Sequence, residues 1–158
     1  MAFVALESIN QDKKKVLIIC VHNSARSQMA EGLLRSLYGD RYDVHSAGIQ
    51  ASYVDPRAVS VMNEIGIDIS RQRSKSMSEY RGVLFDLAIT VCDRAKEACP
   101  ICRIGNIAPA TAPAAIEVIH KNFSDPAAIK GSMKEQLTAF RLTRDEIKEW
   151  IAQTFQSS

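Results

Sequence analysis

Apolar and polar positions along this chain switch between two periods. Val16-Leu17-Ile18-Ile19-Cys20 is an unbroken apolar run, the pattern of a strand covered on both faces. In Ser27–Tyr38, residues Met29, Ala30, Leu33, Leu34 and Leu37 share one helical face, and Gly39-Asp40 closes the segment. Tyr42–Ala47 predicts a second short strand. Asp55-Pro56 then offers a helix cap with proline at the first helical position, followed by a Val59, Met62, Ile65 stripe that stops at Gly66. Arg71–Ser78 is polar and basic and predicts a loop. Leu87–Val91 predicts a third strand ending at Cys92, and Ile116–His120 a fourth, while the alanines and prolines of Ile107–Ala115 predict an exposed loop. Asp125-Pro126 repeats the cap-plus-proline signal ahead of Met133, Leu137, Phe140, Ile147 and Ile151. The pattern leaves open whether Thr143-Arg144-Asp145-Glu146 caps a separate final helix.

Strands separated by helices predict an α/β fold, a four-stranded parallel sheet with helices on both faces. Right-handed crossovers place the strand C-terminal ends along one edge, where such folds bind ligands. Cys20 and Cys92 are both expected at that edge, although far apart in sequence.

Composition narrows this picture only mildly. The chain has 158 residues, 46% of them hydrophobic, and no apolar run near the roughly 20 residues of a membrane span. It reads as a flexible leader over 1–12 and one domain over 13–158, cytoplasmic because no secretory signal is present. Twenty basic against eighteen acidic residues argue against nucleic-acid or membrane binding. No apolar surface stripe is left unassigned, which predicts a monomer. Four cysteines, Cys20, Cys92, Cys99 and Cys102, are then core thiols, metal ligands or redox groups rather than permanent disulfides. His22, His45 and His120 lack ligand-like spacing, so no metal is expected.

The chemistry concentrates where the first strand ends. A chain that turns around a sulfur, then starts a helix at an arginine, aims backbone N–H groups, a helix N-terminus and a planar cation at one spot. Val21, His22, Asn23, Ser24, Ala25, Arg26 and Ser27 are therefore the expected oxyanion-binding residues, with Cys20 as nucleophile. Asn23 suits a positive φ. Asp125, after the fourth strand, is a candidate general acid and equally a plain helix cap.

The block Cys-Val-His-Asn-Ser-Ala-Arg-Ser-Gln-Met-Ala-Glu-Gly over Cys20–Gly32 resembles the signature of the thioredoxin-coupled arsenate reductases, relatives of the low-molecular-weight tyrosine phosphatases. Further matches are Ser46-Ala47-Gly48, Gly66-Ile67-Asp68-Ile69-Ser70, Thr90-Val91-Cys92, Cys99-Pro100 and Phe123-Ser124-Asp125-Pro126-Ala127, so the resemblance covers about residues 14–155. Gln28 stands where the phosphatases usually have proline, and alanines follow Asp125-Pro126 where they tend to have aromatics. Ala25 replaces the second loop cysteine of many relatives. Cys92 and Cys99 match the two additional cysteines of the reductases.

The resemblance implies a phosphatase-like fold and reduction of arsenate to arsenite by Cys20, Cys92 and Cys99, helped by Arg26 and Asp125. Thioredoxin or another thiol donor would be the partner. It also implies loop support from Asn23, Glu31 and Ser46, where some relatives hold potassium with an acidic residue at the position of Lys75. Lys75 is either an ammonium that takes the ion's place and pairs with Glu31 or a solvated lysine of the basic Arg71–Lys75 loop; potassium is disfavoured and no cofactor is expected. Cys102, in Cys99-Pro100-Ile101-Cys102, is a bystander, an alternative resolving thiol or a metal ligand. Two other functions compete, hydrolysis of aryl phosphates and a non-enzymatic oxyanion-responsive redox switch. One geometric demand is independent of family. Across a regular helix Cys92 and Cys99 would stand roughly 10 Å apart, beyond the about 7 Å a disulfide tolerates, so Asp93–Ala98 must loop out or refold and is expected to be more mobile than the strands.

Overall fold

The computed structural model describes residues 13–98, 102–103 and 112–156. The expected leader over 1–12 lies outside the described residues. Among the described residues five parallel strands form one sheet: β1 (Lys14–Cys20), β2 (Tyr42–Gly48), β3 (Leu84–Thr90), β4 (Cys102–Arg103) and β5 (Ala114–His120), in the order β2-β1-β3-β5-β4. The four seven-residue strands are those the pattern predicts, and the two-residue β4 is an additional strand at the edge. Ala114 and Ala115 belong to β5 rather than to the expected loop, of which 107–111 lie outside the described residues.

Four α-helices among the described residues complete the α/β fold: α1 (Arg26–Tyr38), α2 (Pro56–Asn63), α3 (Asp93–Ala98) and α4 (Met133–Phe155). Side chains alternate faces along a strand, yet Val16 through Cys20 are all buried, so both faces of β1 are covered. One hydrophobic cluster joins β1 to Met29, Leu33 and Leu34 of α1, Met62 of α2 and Phe140, Ile147 and Ile151 of α4. Asp55 caps α2 by accepting from the Arg57 N–H, with Pro56 at the first position. Gly66 takes φ +78° after α2, a conformation that favours glycine.

The C-terminal part differs from the sequence expectation in two respects. Asp125-Pro126 caps only a 3₁₀ turn, Pro126–Ala128, and the long helix starts at Ser132, whose hydroxyl accepts the Glu135 N–H while Glu135 reaches back to the Ser132 N–H. Ser-x-x-Glu was legible there and outweighs the proline signal. The Thr143–Glu146 stretch runs through α4 uninterrupted, and Met133 is exposed rather than part of the buried stripe. Within it, buried Arg144 donates to Val61 O at 2.8 Å and pairs with Glu64 at 2.9 Å, tying α4 to α2.

Parallel register brings chemistry to one edge. Cys20 pairs with Gly48, Ile19 with Thr90, and Thr90 with His120, so all four strand ends finish together. Cys102 pairs with Ala114 at the opposite end of β5.

Candidate active site

Beyond Cys20, the chain cannot continue as a strand. Asn23 takes φ +51°, the left-handed conformation expected of it, and folds the loop back so that its N–H donates to Cys20 Sγ at 3.1 Å. Ser27 Oγ stands 2.8 Å from the same sulfur. Helix α1 begins at Arg26 without a side-chain cap, so its free first-turn N–H groups belong to an anion-binding end. Cys20, His22, Ser24, Ala25 and Arg26 line a cleft of about 280 Å³. A small anion is favoured there.

Asn23 holds this loop from behind. Its Nδ2 donates to Ser27 Oγ at 2.7 Å and to Ser46 Oγ at 2.9 Å, while its Oδ1 accepts from Gln28 Nε2 at 2.9 Å and from the Lys75 N–H at 2.8 Å. Ser46 Oγ donates to buried Glu31, which pairs with Arg35 at 2.8 Å and faces Lys75 Nζ at 3.5 Å. The expected support set of Asn23, Glu31, Ser46 and Lys75 is thus one connected network. Gln28 belongs to it, since its amide also donates to Arg73 O at 2.9 Å. Gly48 closes the back wall. A Cβ there would stand 2.8 Å from the Asn23 nitrogen and the Val21 oxygen, both backbone. Gly48→Ala is expected to lower stability by about 1–3 kcal/mol and to weaken phosphate binding, read by thermal unfolding and calorimetry. Unchanged binding and melting would mean the loop is softer than its contacts indicate.

Arg26 donates from Nη1 to Phe123 O at 3.0 Å, and its other terminal nitrogen stands 3.9 Å from Asp125 Oδ2. Asp125 lines the cleft and at the same time caps its 3₁₀ turn through the Ala127 N–H. Cys92 is buried at the same sheet edge, one residue beyond Val91, whose N–H donates to Ile19 O at 3.0 Å. It does not line the cleft. Helix α3 follows it directly, and Cys99 lies outside the described residues.

Ser52, Tyr53, Asp55, Arg57 and Ala127 also line the cleft and went unnoticed as site residues in the sequence. Asp55 had a signal, but it read as a cap alone. Its N–H donates to Ser24 O at 2.9 Å, and Ser52 N–H reaches His22 O at 3.2 Å, so the 50–57 segment forms the second rim. Arg57 spends its side chain on Asp55 and on Gln136, and the Asp55 hydrogen bond holds its guanidinium above the ordinary arginine range. It neutralises a buried carboxylate beside an anion site. Among the described residues no cluster of His, Cys, Asp or Glu could hold a metal ion, and no helix is long and apolar enough to cross a membrane.

Comparison with known proteins extends this geometry. A family model described as low molecular weight phosphotyrosine protein phosphatase matches residues 15–157. An arsenate reductase of Halalkalibacterium halodurans is 42% identical over 140 residues, covering 89% of this chain and 94% of the relative. A solved arsenate reductase in the phosphate binding state superposes with a TM-score of 0.68 at 30% identity, covering 91% of this chain and 98% of that one. A low molecular weight protein tyrosine phosphatase from T. tengcongensis gives 0.67 at 25% identity, covering 92% and 100%.

Proposed function

Because the chain belongs to the low molecular weight phosphotyrosine protein phosphatase family, and its relatives include arsenate reductases, we propose that it reduces arsenate to arsenite. The observation that carries this reading is a second buried thiol, Cys92, at the sheet edge that presents Cys20. A hydrolase needs only the first.

Arsenate binds against the loop N–H groups and Arg26. Cys20 attacks arsenic, and a hydroxyl leaves as water with a proton from Asp125, giving a thiol-arsenate adduct. Cys92 thiolate attacks the Cys20 sulfur. The S–As bond breaks, its electron pair passes to arsenic, and arsenite departs from a Cys20–Cys92 disulfide. Cys99 then attacks Cys92, frees Cys20 and carries the disulfide outward, where thioredoxin or another dithiol supplies two electrons. Because 93–98 is helical, that step requires α3 to unwind. Cys102 is a bystander, since its backbone pairs at the far end of β5.

No potassium ion is required. Asn23, Ser46 and Glu31 already satisfy one another, and the Lys75 ammonium, also donating to Arg73 O at 3.0 Å, stands where a cation would. The residues present do not fit the ion. Replacing sodium chloride by potassium chloride is expected to change kcat/KM by less than about twofold, and a several-fold rise would refute the lysine's role.

The test is arsenate-dependent NADPH oxidation with thioredoxin and thioredoxin reductase, with Cys102→Ser active and Cys99→Ser inactive. Stoichiometric oxidation without turnover would instead indicate a redox switch. Hydrolysis of aryl phosphates is the second reading, favoured by Tyr53, 66% exposed at the mouth of the cleft, where a ring could stack on a substrate.

A further inference from the structure

The segment leaving β5 grips the residue that follows Cys92. His120 Nε2 lies 2.8 Å from Asp93 Oδ1, and His120 Nδ1 lies 2.8 Å from the hydroxyl of buried Thr90. The Asp93 N–H donates to Asn122 Oδ1 at 3.1 Å. Asp93 is the first residue of α3, so its side chain is held by the last residue of β5 and its main chain by Asn122, two residues further on. That segment is itself fastened to β3, through Lys121 N–H to Thr90 O at 2.9 Å and Phe123 N–H to Val91 O at 3.1 Å. None of Thr90, Asp93, His120 or Asn122 lines the oxyanion cleft.

Two demands on this region conflict. Cys92 must stay aimed at the Cys20 adduct, while the six-residue α3, too short to persist without tertiary ties, must unwind for the next exchange. A grip confined to Asp93 separates them. We propose that the Thr90–His120–Asp93 chain, with Asn122, is a tether that fixes Cys92 at the sheet edge while the rest of α3 comes loose, which makes His120 a positioning residue. This rests on the reductase reading and deepens it. The tether holds in either charge state of the ring. Nε2–H donates to the carboxylate throughout, while Nδ1 accepts the Thr90 hydroxyl proton when neutral and donates to its oxygen when charged.

The test reads the thiol itself. In the full chain carrying Cys20→Ser, iodoacetamide labelling followed by peptide mass spectrometry resolves Cys92 from Cys99 and Cys102. His120→Ala is expected to raise the Cys92 labelling rate about tenfold. Asp93→Ala should match it, the double variant should add nothing further, and His120→Gln, whose amide can still reach Asp93, should restore most of the protection. With Cys20 intact, His120→Ala should slow single-turnover formation of the Cys20–Cys92 disulfide with phosphate affinity unchanged. Unaltered labelling in both single variants, or additive effects in the double, overturns the tether even where arsenate turnover is normal. Failure of the wild-type chain to reduce arsenate, with the labelling pattern present in the variants, removes the reductase reading and leaves the tether standing.

Discussion

Cys92→Ser is expected to lower arsenate-dependent turnover by at least about 10³-fold while leaving hydrolysis of p-nitrophenyl phosphate within about twofold, whereas Cys20→Ser should abolish both. The two thiols occupy different places in the molecule. Cys20 lines the cleft and touches Asn23 N–H and Ser27 Oγ, so the proposed attack on a bound oxyanion, reductive or hydrolytic, starts from it. Cys92 is buried at the neighbouring strand end and contributes nothing to the cleft wall, so its loss spares binding and attack. Serine keeps the shape at either position but cannot form the disulfide that the proposed relay requires. Coupled NADPH oxidation and p-nitrophenol release on the same preparations give the comparison. Sustained arsenate turnover in Cys92→Ser would sink the relay.

Asn23→Ala should cost about 2–4 kcal/mol of stability and about 10²-fold in kcat/KM. Asn23 is fully buried, and its amide makes four hydrogen bonds, to Ser27, Ser46, Gln28 and the Lys75 backbone. Alanine would remove one bond from each of those partners, taking from the Lys75 N–H its acceptor, and would also carry the strain of φ +51°. Asn23→Gly removes the strain and keeps the missing bonds, so it should recover about 1 kcal/mol of stability and little activity. Urea unfolding and phosphate titration separate the two contributions. Equal stability of the glycine and alanine variants would show that backbone strain plays no part.

Both variants act on features that were visible in the sequence to different degrees. The Cys20 turn, its arginine and the asparagine suited to positive φ could be read directly, because a strand, a sharp turn and a helix start each leave a local signature. In the sequence Gln28 stands out only as a departure from proline, yet it fastens Asn23 to the 73–75 segment. Tyr53 and Arg57 left no signal at all, since a rim is made by whichever loop arrives beside the anion site.

The sequence by itself determined the alternation of strands and helices, the parallel sheet and the thiol at the end of β1, because hydrophobic period and capping are properties of neighbouring residues. It also marked Cys92 as a second strand end. Only the tertiary structure decided that Lys75 stands against Glu31, that Asp55 and Arg57 wall the cleft, and that His120 holds the residue after Cys92. Those contacts join segments distant in the chain. Register and crossover geometry create them, and no local pattern encodes a partner that only the folded sheet brings within reach.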